Sequence, residues 1–267
     1  MTLDIMRIST CTYPVRDKDA ETALALMAKA GFKKVDLWGN MPHFSANPAQ
    51  MDIAKLQAAA EKLGVKIANL GTYCGAKFAS EKEAEQEAAL ADMKATIDIA
   101  AKLGCRSIRV RPGESEDRAI IDRLVPYYKK SAEYAAQKNV YLGMENHKGS
   151  LAGIPDACVG LCAKVHSRHF GVLYEPCNLL HSGVDYKQAF RKFAPYIVHM
   201  HLKDGRERDG KFARCMLGEG DVDVRWVVDN LNGIGYKGDF ALEYEICDLV
   251  PIEVGLPKWL EYFRTFG

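Results

Sequence analysis

Apolar and polar residues alternate through residues 197–203: Val198, Met200 and Leu202 are apolar, and His199, His201 and Lys203 lie between them. A period of two marks a strand with two different faces, and Gly205 ends the pattern. A face bearing two imidazoles and an ammonium is costly to bury unless it lines a site. Residues 7–11, 34–39, 65–70, 106–110, 140–144, 169–174 and 240–244 read as seven further strands. Helical start and stop signals punctuate the intervals. Gly31 closes a helix over 20–30, and Asn47-Pro48 opens one that ends at Gly64. Ser80-Glu81-Lys82-Glu83 has the form of a capping box for a helix reaching Leu103 and closed by Gly104. Helices follow over 116–138, where Pro126 is expected to kink or split the segment, and over 155–165, 185–193, 223–231 and 259–266.

Eight strands alternating with eight helical segments, undivided by any linker, predict an α/β fold: a (β/α)8 TIM barrel forming a single domain over 1–267. Such a barrel needs about 250 residues. A doubly wound open sheet is the alternative, but it carries a Gly-rich first turn, and none follows residues 7–11.

Charge changes the picture by exclusion. With 36 basic and 35 acidic residues there is no electrostatic case for nucleic acid as a partner. No apolar run approaches a membrane span, and residues 1–7 have no leader-like apolar core. The eight cysteines are scattered without a C-x-x-C spacing, which suits free thiols in a reducing compartment. A soluble cytoplasmic protein with a small-molecule partner is expected, and a homo-oligomer is compatible with this.

In a closed barrel one strand face packs under the helices and the other looks into the barrel. Taking the apolar residues as the outer face, parity turns Arg109, Arg111, Glu145, His147, Glu175, His199, His201, Glu243 and Glu245 inward. Four consecutive strands thus aim carboxylates and imidazoles at one space near their C-terminal ends, where sites of such barrels lie. Several carboxylates cannot all ionise in one pocket without a cation. Arg109, Arg111 or Lys203 could supply it, and a divalent metal does so better. Oxygen donors with one imidazole suit manganese first, with magnesium, cobalt or zinc as alternatives. The arginines have a second reading as partners of inward carboxylates such as Asp36 or Glu114. His43, His166, His169 and His181 read as surface or core residues.

The segments Met144-Glu145-Asn146-His147, Glu175-Pro176-Cys177-Asn178, His199-Met200-His201-Leu202-Lys203-Asp204, Leu217-Gly218-Glu219-Gly220 and Leu242-Glu243-Tyr244-Glu245 together resemble the xylose isomerase-like barrel family of sugar isomerases and epimerases. The resemblance spans nearly the whole chain. It implies one divalent metal ion held by Glu145, Glu175, His201 and Glu243, with Glu145 and Glu243 as the catalytic acid/base pair. It implies that His147, Asn178 and Lys203 contact substrate hydroxyls, with His199 beside them or orienting a ligand. Parity, not the resemblance, places Arg111 near the mouth, where a guanidinium is expected to grip a phosphate or carboxylate unless it pairs with an inward carboxylate. The family pattern has Asp where this chain has Glu175, and Glu245 competes with Glu243 for the ligand role.

The expected activity is isomerisation or epimerisation of a sugar, ketose or keto-polyol through an enediolate. A dehydratase or lyase acting on an inosose or 3-keto-sugar would use the same site. An apurinic endonuclease-type nuclease shares the fold but needs more histidine ligands than this chain offers, and a non-catalytic barrel follows if Glu175 spoils the metal site.

Overall fold

The computed structural model describes residues 3–267, so the first two residues of the domain expected over 1–267 lie outside the described residues. Eight parallel strands close into a barrel: β1 (Ile8–Cys11), β2 (Lys34–Trp38), β3 (Lys66–Gly71), β4 (Ser107–Val110), β5 (Tyr141–Glu145), β6 (Phe170–Tyr174), β7 (Ile197–Leu202) and, after a hairpin of β8 (Asp204–Arg208) and β9 (Lys211–Cys215), β10 (Phe240–Leu242). Barrel strands neighbour one another in chain order, and β10 pairs with β1 to close the ring. The helices are α1 (Ala20–Lys29), α2 (Ile53–Lys62), α3 (Glu83–Leu103), α4 (Ile121–Gln137), α5 (Pro155–Val165), α6 (Pro176–His181), α7 (Tyr186–Phe193), α8 (Val224–Gly233) and α9 (Ile252–Arg264).

The apolar strand positions form the layer under the helices. Leu37, Ile108, Leu142, Val172, Met200 and Leu242 are fully buried, facing helix residues such as Leu24, Met93, Leu124 and Phe263. Each such side chain contributes about 1.5–3 kcal/mol. The opposite parity leaves polar side chains inside the barrel, and they pair with one another: Ser9 Oγ with Asp36 Oδ1 at 3.1 Å, and Ser107 Oγ with Asn69 Oδ1 at 2.8 Å.

Several boundaries differ from the sequence expectation. Asn47 caps only a turn, through Ala49 N. The helix itself starts at Ile53, where Asp52 accepts from Ala54 N and Lys55 N. Helix α3 begins at Glu83, and Ser80 Oγ bonds Glu85 rather than closing a capping box. Pro126 does not split its helix. Pro126 and Pro257 both sit at the sixth residue of an unbroken helix, α4 and α9. Each removes one bond to the carbonyl four residues back, on Asp122 and Glu253, which are exposed residues in the first turn, where helix carbonyls are open to solvation. Helix α9 therefore begins well before residue 259.

Gly205 does not end the strand pattern in a loop. The chain enters the β8–β9 hairpin, which turns at Asp209 (φ 55°) and Gly210 (φ 73°). Two consecutive positive φ values match the right-handed twist of a tight hairpin. The buried Asp204 holds the base. Its carboxylate accepts from the backbone N–H groups of Gly205, Gly218, Gly220 and Val222 at 2.8–3.1 Å. A Cβ on Gly220 would lie 2.0 Å from Asp204 Oδ1, which explains the glycine there.

Candidate active site

The C-terminal ends of β5, β6, β7 and β10 bring Glu145, Glu175, His201 and Glu243 into one buried region. Glu145 is the last residue of β5. The next residue, Asn146, clamps β5 to β6: its Nδ2 donates to Glu175 O at 2.7 Å and its Oδ1 accepts from Glu175 N at 2.8 Å. Glu243 follows β10 directly, and its N–H donates to Leu202 O at 2.9 Å.

The histidines are set by Asp36 on β2. His199 Nε2 lies 2.5 Å and His201 Nε2 3.1 Å from the same oxygen, Asp36 Oδ2. Burial disfavours the Asp36 carboxylate, but His199 and then His201 hold its pKa well below the usual range. An ionised carboxylate only accepts, so both Nε2 atoms carry hydrogens. The remaining nitrogen of His201, Nδ1, faces Glu145 Oε1 at 3.3 Å and Glu243 Oε1 at 3.6 Å. Burial disfavours the charged ring, but Cys11, Glu243 and Asp36 raise its pKa well above the usual imidazole range, so Nδ1 donates a proton when charged and presents a lone pair when neutral. Three lone-pair donors facing one another need a positive charge between them, a proton on Nδ1 or a metal ion. The donor set of carboxylate oxygens and one imidazole fits a divalent cation.

Two basic side chains hold Glu145 and Glu243 ionised. Arg109 Nη1 donates to Glu145 Oε2 at 2.9 Å. Burial raises the Glu145 pKa, yet Arg109 and His201 bring it well below the usual range. Lys203 Nζ lies 2.6 Å from Glu243 Oε2, 3.0 Å from Glu245 Oε2 and 3.9 Å from Glu175 Oε2. Burial raises Glu243 as well, and Lys203 with His201 outweighs it.

Glu175 is turned differently. It caps α6, accepting from Cys177 N at 3.0 Å and from Asn178 N. Burial pushes its carboxyl up to about 8 against the pull of Lys203. The other expected residues separate into three places. His147 and Arg111 line the cavity above Glu145, Lys203 and Glu243, and that cavity has a volume of about 140 Å³. Asn178 sits in the first turn of α6, with its Nδ2 buried and without a hydrogen-bond partner among the described residues. His199 lies deeper, beside Asp36.

The structure also assembles residues that the sequence reading left out. Cys11 Sγ falls within 4.8 Å of ligand atoms of His201 and Glu243. Asp36, expected as an arginine partner, serves the histidines instead, while Arg111 meets Glu114 and Arg109 meets Glu145. Parity carried the signal, since Asp36 alternates with Val35 and Leu37, and Cys11 with Thr10. Arg214, from β9, reaches Glu245 Oε2 at 2.8 Å and lines the cavity. No helix among the described residues is long and apolar enough to cross a membrane, and all eight cysteines are free.

A family model described as xylose isomerase-like TIM barrel matches residues 24–265. The chain is 26% identical over 255 residues to the rhizopine catabolism protein MocC of Rhizobium meliloti, covering 86% of this chain and 75% of that protein. It is 24% identical over 234 residues to L-ribulose-5-phosphate 3-epimerase UlaE of Salmonella paratyphi A, covering 82% and 80%. It is 26% identical over 160 residues to an inosose dehydratase of Geobacillus thermodenitrificans, covering 54% and 53%. Among solved structures, a xylose isomerase domain protein from Planctomyces limnophilus matches with a TM-score of 0.76 at 21% identity, covering 97% and 95%. A xylose isomerase-like TIM barrel protein from Mycobacterium smegmatis, solved in complex with magnesium, matches with a TM-score of 0.77 at 19% identity, covering 94% and 90%.

Proposed function

The chain belongs to the xylose isomerase-like TIM barrel family, and from that premise we propose that it is a metal-dependent isomerase or epimerase of a small ketose or keto-polyol. One observation carries the reading: Glu145 Oε1 and Glu243 Oε1 face the same nitrogen, His201 Nδ1, while each carboxylate keeps its other oxygen on its own cation. Two carboxylates so held are a base and its counterpart acid. Glu145, ionised, takes the proton α to a carbonyl, and Glu243, which enters the step carrying a proton taken from solvent, gives it to the resulting enediolate; exchange with solvent resets both between turnovers. Arg109 keeps Glu145 ionised as the base, Lys203 stabilises Glu243 once it has given up its proton, and both put positive charge beside the developing oxyanion. His147 at the rim, and Asn178 through its free Nδ2, orient hydroxyls.

Glu145, Glu175, His201 and Glu243 would hold a divalent ion, which would supply Lewis-acid charge at the carbonyl oxygen. Manganese is our first choice because the set combines carboxylate oxygens with one imidazole. Glu175 has a double role in this reading, as cap of α6 and as ligand through its remaining lone pairs. Glu175→Ala should lower stability by about 1 kcal/mol through the lost cap and weaken metal binding as well. Thermal melts read the first effect and calorimetric metal titration the second. Unchanged metal affinity removes Glu175 from the ligand set.

The reaction is tested by turning over a ketose panel with Mn²⁺ in D₂O. Solvent deuterium is expected at the carbon next to the carbonyl. A rearranged product without deuterium points to a hydride shift and removes the carboxylate pair from the chemistry. The second reading, elimination of water from an inosose, is favoured by the similarity to an inosose dehydratase and begins with the same proton abstraction. An unsaturated product in place of an epimer identifies it.

A further inference from the structure

The cavity walls carry four cationic side chains, Arg109, Arg111, Lys203 and Arg214, against three carboxylates, Glu145, Glu243 and Glu245. Pairing uses three of the cations: Arg109 with Glu145, Lys203 with Glu243 and Glu245, and Arg214 with Glu245. Arg111 is left over. Its only ion-pair partner among the described residues is Glu114, at 3.5 Å and 75% exposed, and a pair so open to water binds weakly. Beside it, Arg109 uses Nε on Thr72 O at 3.1 Å and Nη1 on Glu145, while Nη2 is buried with no hydrogen-bond partner among the described residues. A buried donor without an acceptor is costly, and an acceptor arriving from the cavity removes that cost. Both guanidinium groups lie against the ring of Tyr73, with centroid distances of 4.4 Å for Arg109 and 6.0 Å for Arg111. Backbone anchoring fixes the approach, since Arg111 N donates to Cys74 O at 2.8 Å.

We propose that Arg111, with Arg109 Nη2 behind it, binds an anionic group of the substrate. The substrate class is then a keto-sugar bearing a carboxylate or a phosphate, not a neutral ketose. A guanidinium presents donors in a fork that matches either group. The proposal rests on the reading of this cavity as the substrate site. It does not depend on which bond the enzyme makes or breaks.

The test is calorimetric binding of three probes of one skeleton to the full-length, Mn²⁺-loaded protein: D-fructose, D-fructose 6-phosphate and D-fructuronate. At least one anion should bind about tenfold or more tightly than D-fructose, and the tighter anion names the group. Arg111→Met should remove that preference and leave D-fructose affinity within about twofold, while Arg111→Lys should retain part of it. Equal affinity for all three probes, no binding of either anion, or an equal loss for all three in Arg111→Met overturns the proposal. Failure of the proton-transfer reading shows separately, as bound sugars that acquire no solvent deuterium.

Discussion

Glu145→Gln should leave the barrel folded and cut turnover of the ketose substrate by a factor on the order of 10² or more. The amide has the shape of the carboxylate and can still accept from Arg109 Nη1, which lies 2.9 Å away. What it loses is the capacity to take a proton. The change also leaves the Arg109 charge facing a neutral partner. Both side chains are nearly buried, 14% and 9% exposed, so some stability is lost. The loss should stay below the roughly 3–5 kcal/mol of a pair broken outright, because an acceptor remains. Circular dichroism and a thermal melt establish the fold, and steady-state kinetics with Mn²⁺ read the effect. Near-normal kcat in a folded, metal-loaded variant excludes Glu145 as the base.

Lys203→Met should produce the largest change in stability of any single substitution in the site. The ammonium is buried between Glu243 and Glu245, at 2.6 and 3.0 Å, with Glu175 at 3.9 Å. Methionine fills similar space without charge, so the carboxylates lose their shared cation. Breaking a buried pair in this way costs about 3–5 kcal/mol. For a chain of this length that corresponds to a fall in Tm of roughly 6–20 °C. Excess Mn²⁺ should restore part of the loss, since an ion among the same carboxylates replaces the missing charge. Urea denaturation of the metal-free variant, with and without added Mn²⁺, measures both effects. A metal-free variant as stable as its parent means that the carboxylates answer the loss by taking up protons, and it retires the structural role given to Lys203.

The barrel was legible because its strands have two chemically different faces. Parity alone turned Glu145, His201 and Glu243 toward one another, and the structure gathers them around a single imidazole. Elements without that contrast were lost. The β8–β9 hairpin carries a mostly exposed, charged sequence on both arms, so no alternation marks it. Asp209-Gly210 was the signal that could have found it. Helix α6 stays hidden because Glu175-Pro176 follows directly on the strand over 169–174, although a capping side chain followed by proline is also how a helix opens. The prolines of α4 and α9 misled for a related reason: their cost depends on whether the orphaned carbonyl reaches water, which depends on burial. Within the site, spacing gave direction but not conformation. Both oxygens of Glu175 fold back onto backbone N–H groups, and no pattern of residue types records which rotamer a side chain adopts.

The four backbone bonds on Asp204 bear on how such a protein diversifies. They fasten the start of the hairpin to the loop that follows it through one carboxylate, and Asp204 faces Cys215 at the base of the ladder, so the segment from 206 to 214 hangs from a fixed anchorage. That segment supplies Arg214 to the cavity, yet no barrel strand runs through it. Its length and composition can change without moving the barrel strand ends that carry Glu145, His201 and Glu243, and Arg214 on Glu245 is the point at which such a change enters the cavity. Descendants of this chain can acquire a new diet by rewriting one ribbon, and Asp204 is the residue such a lineage must keep.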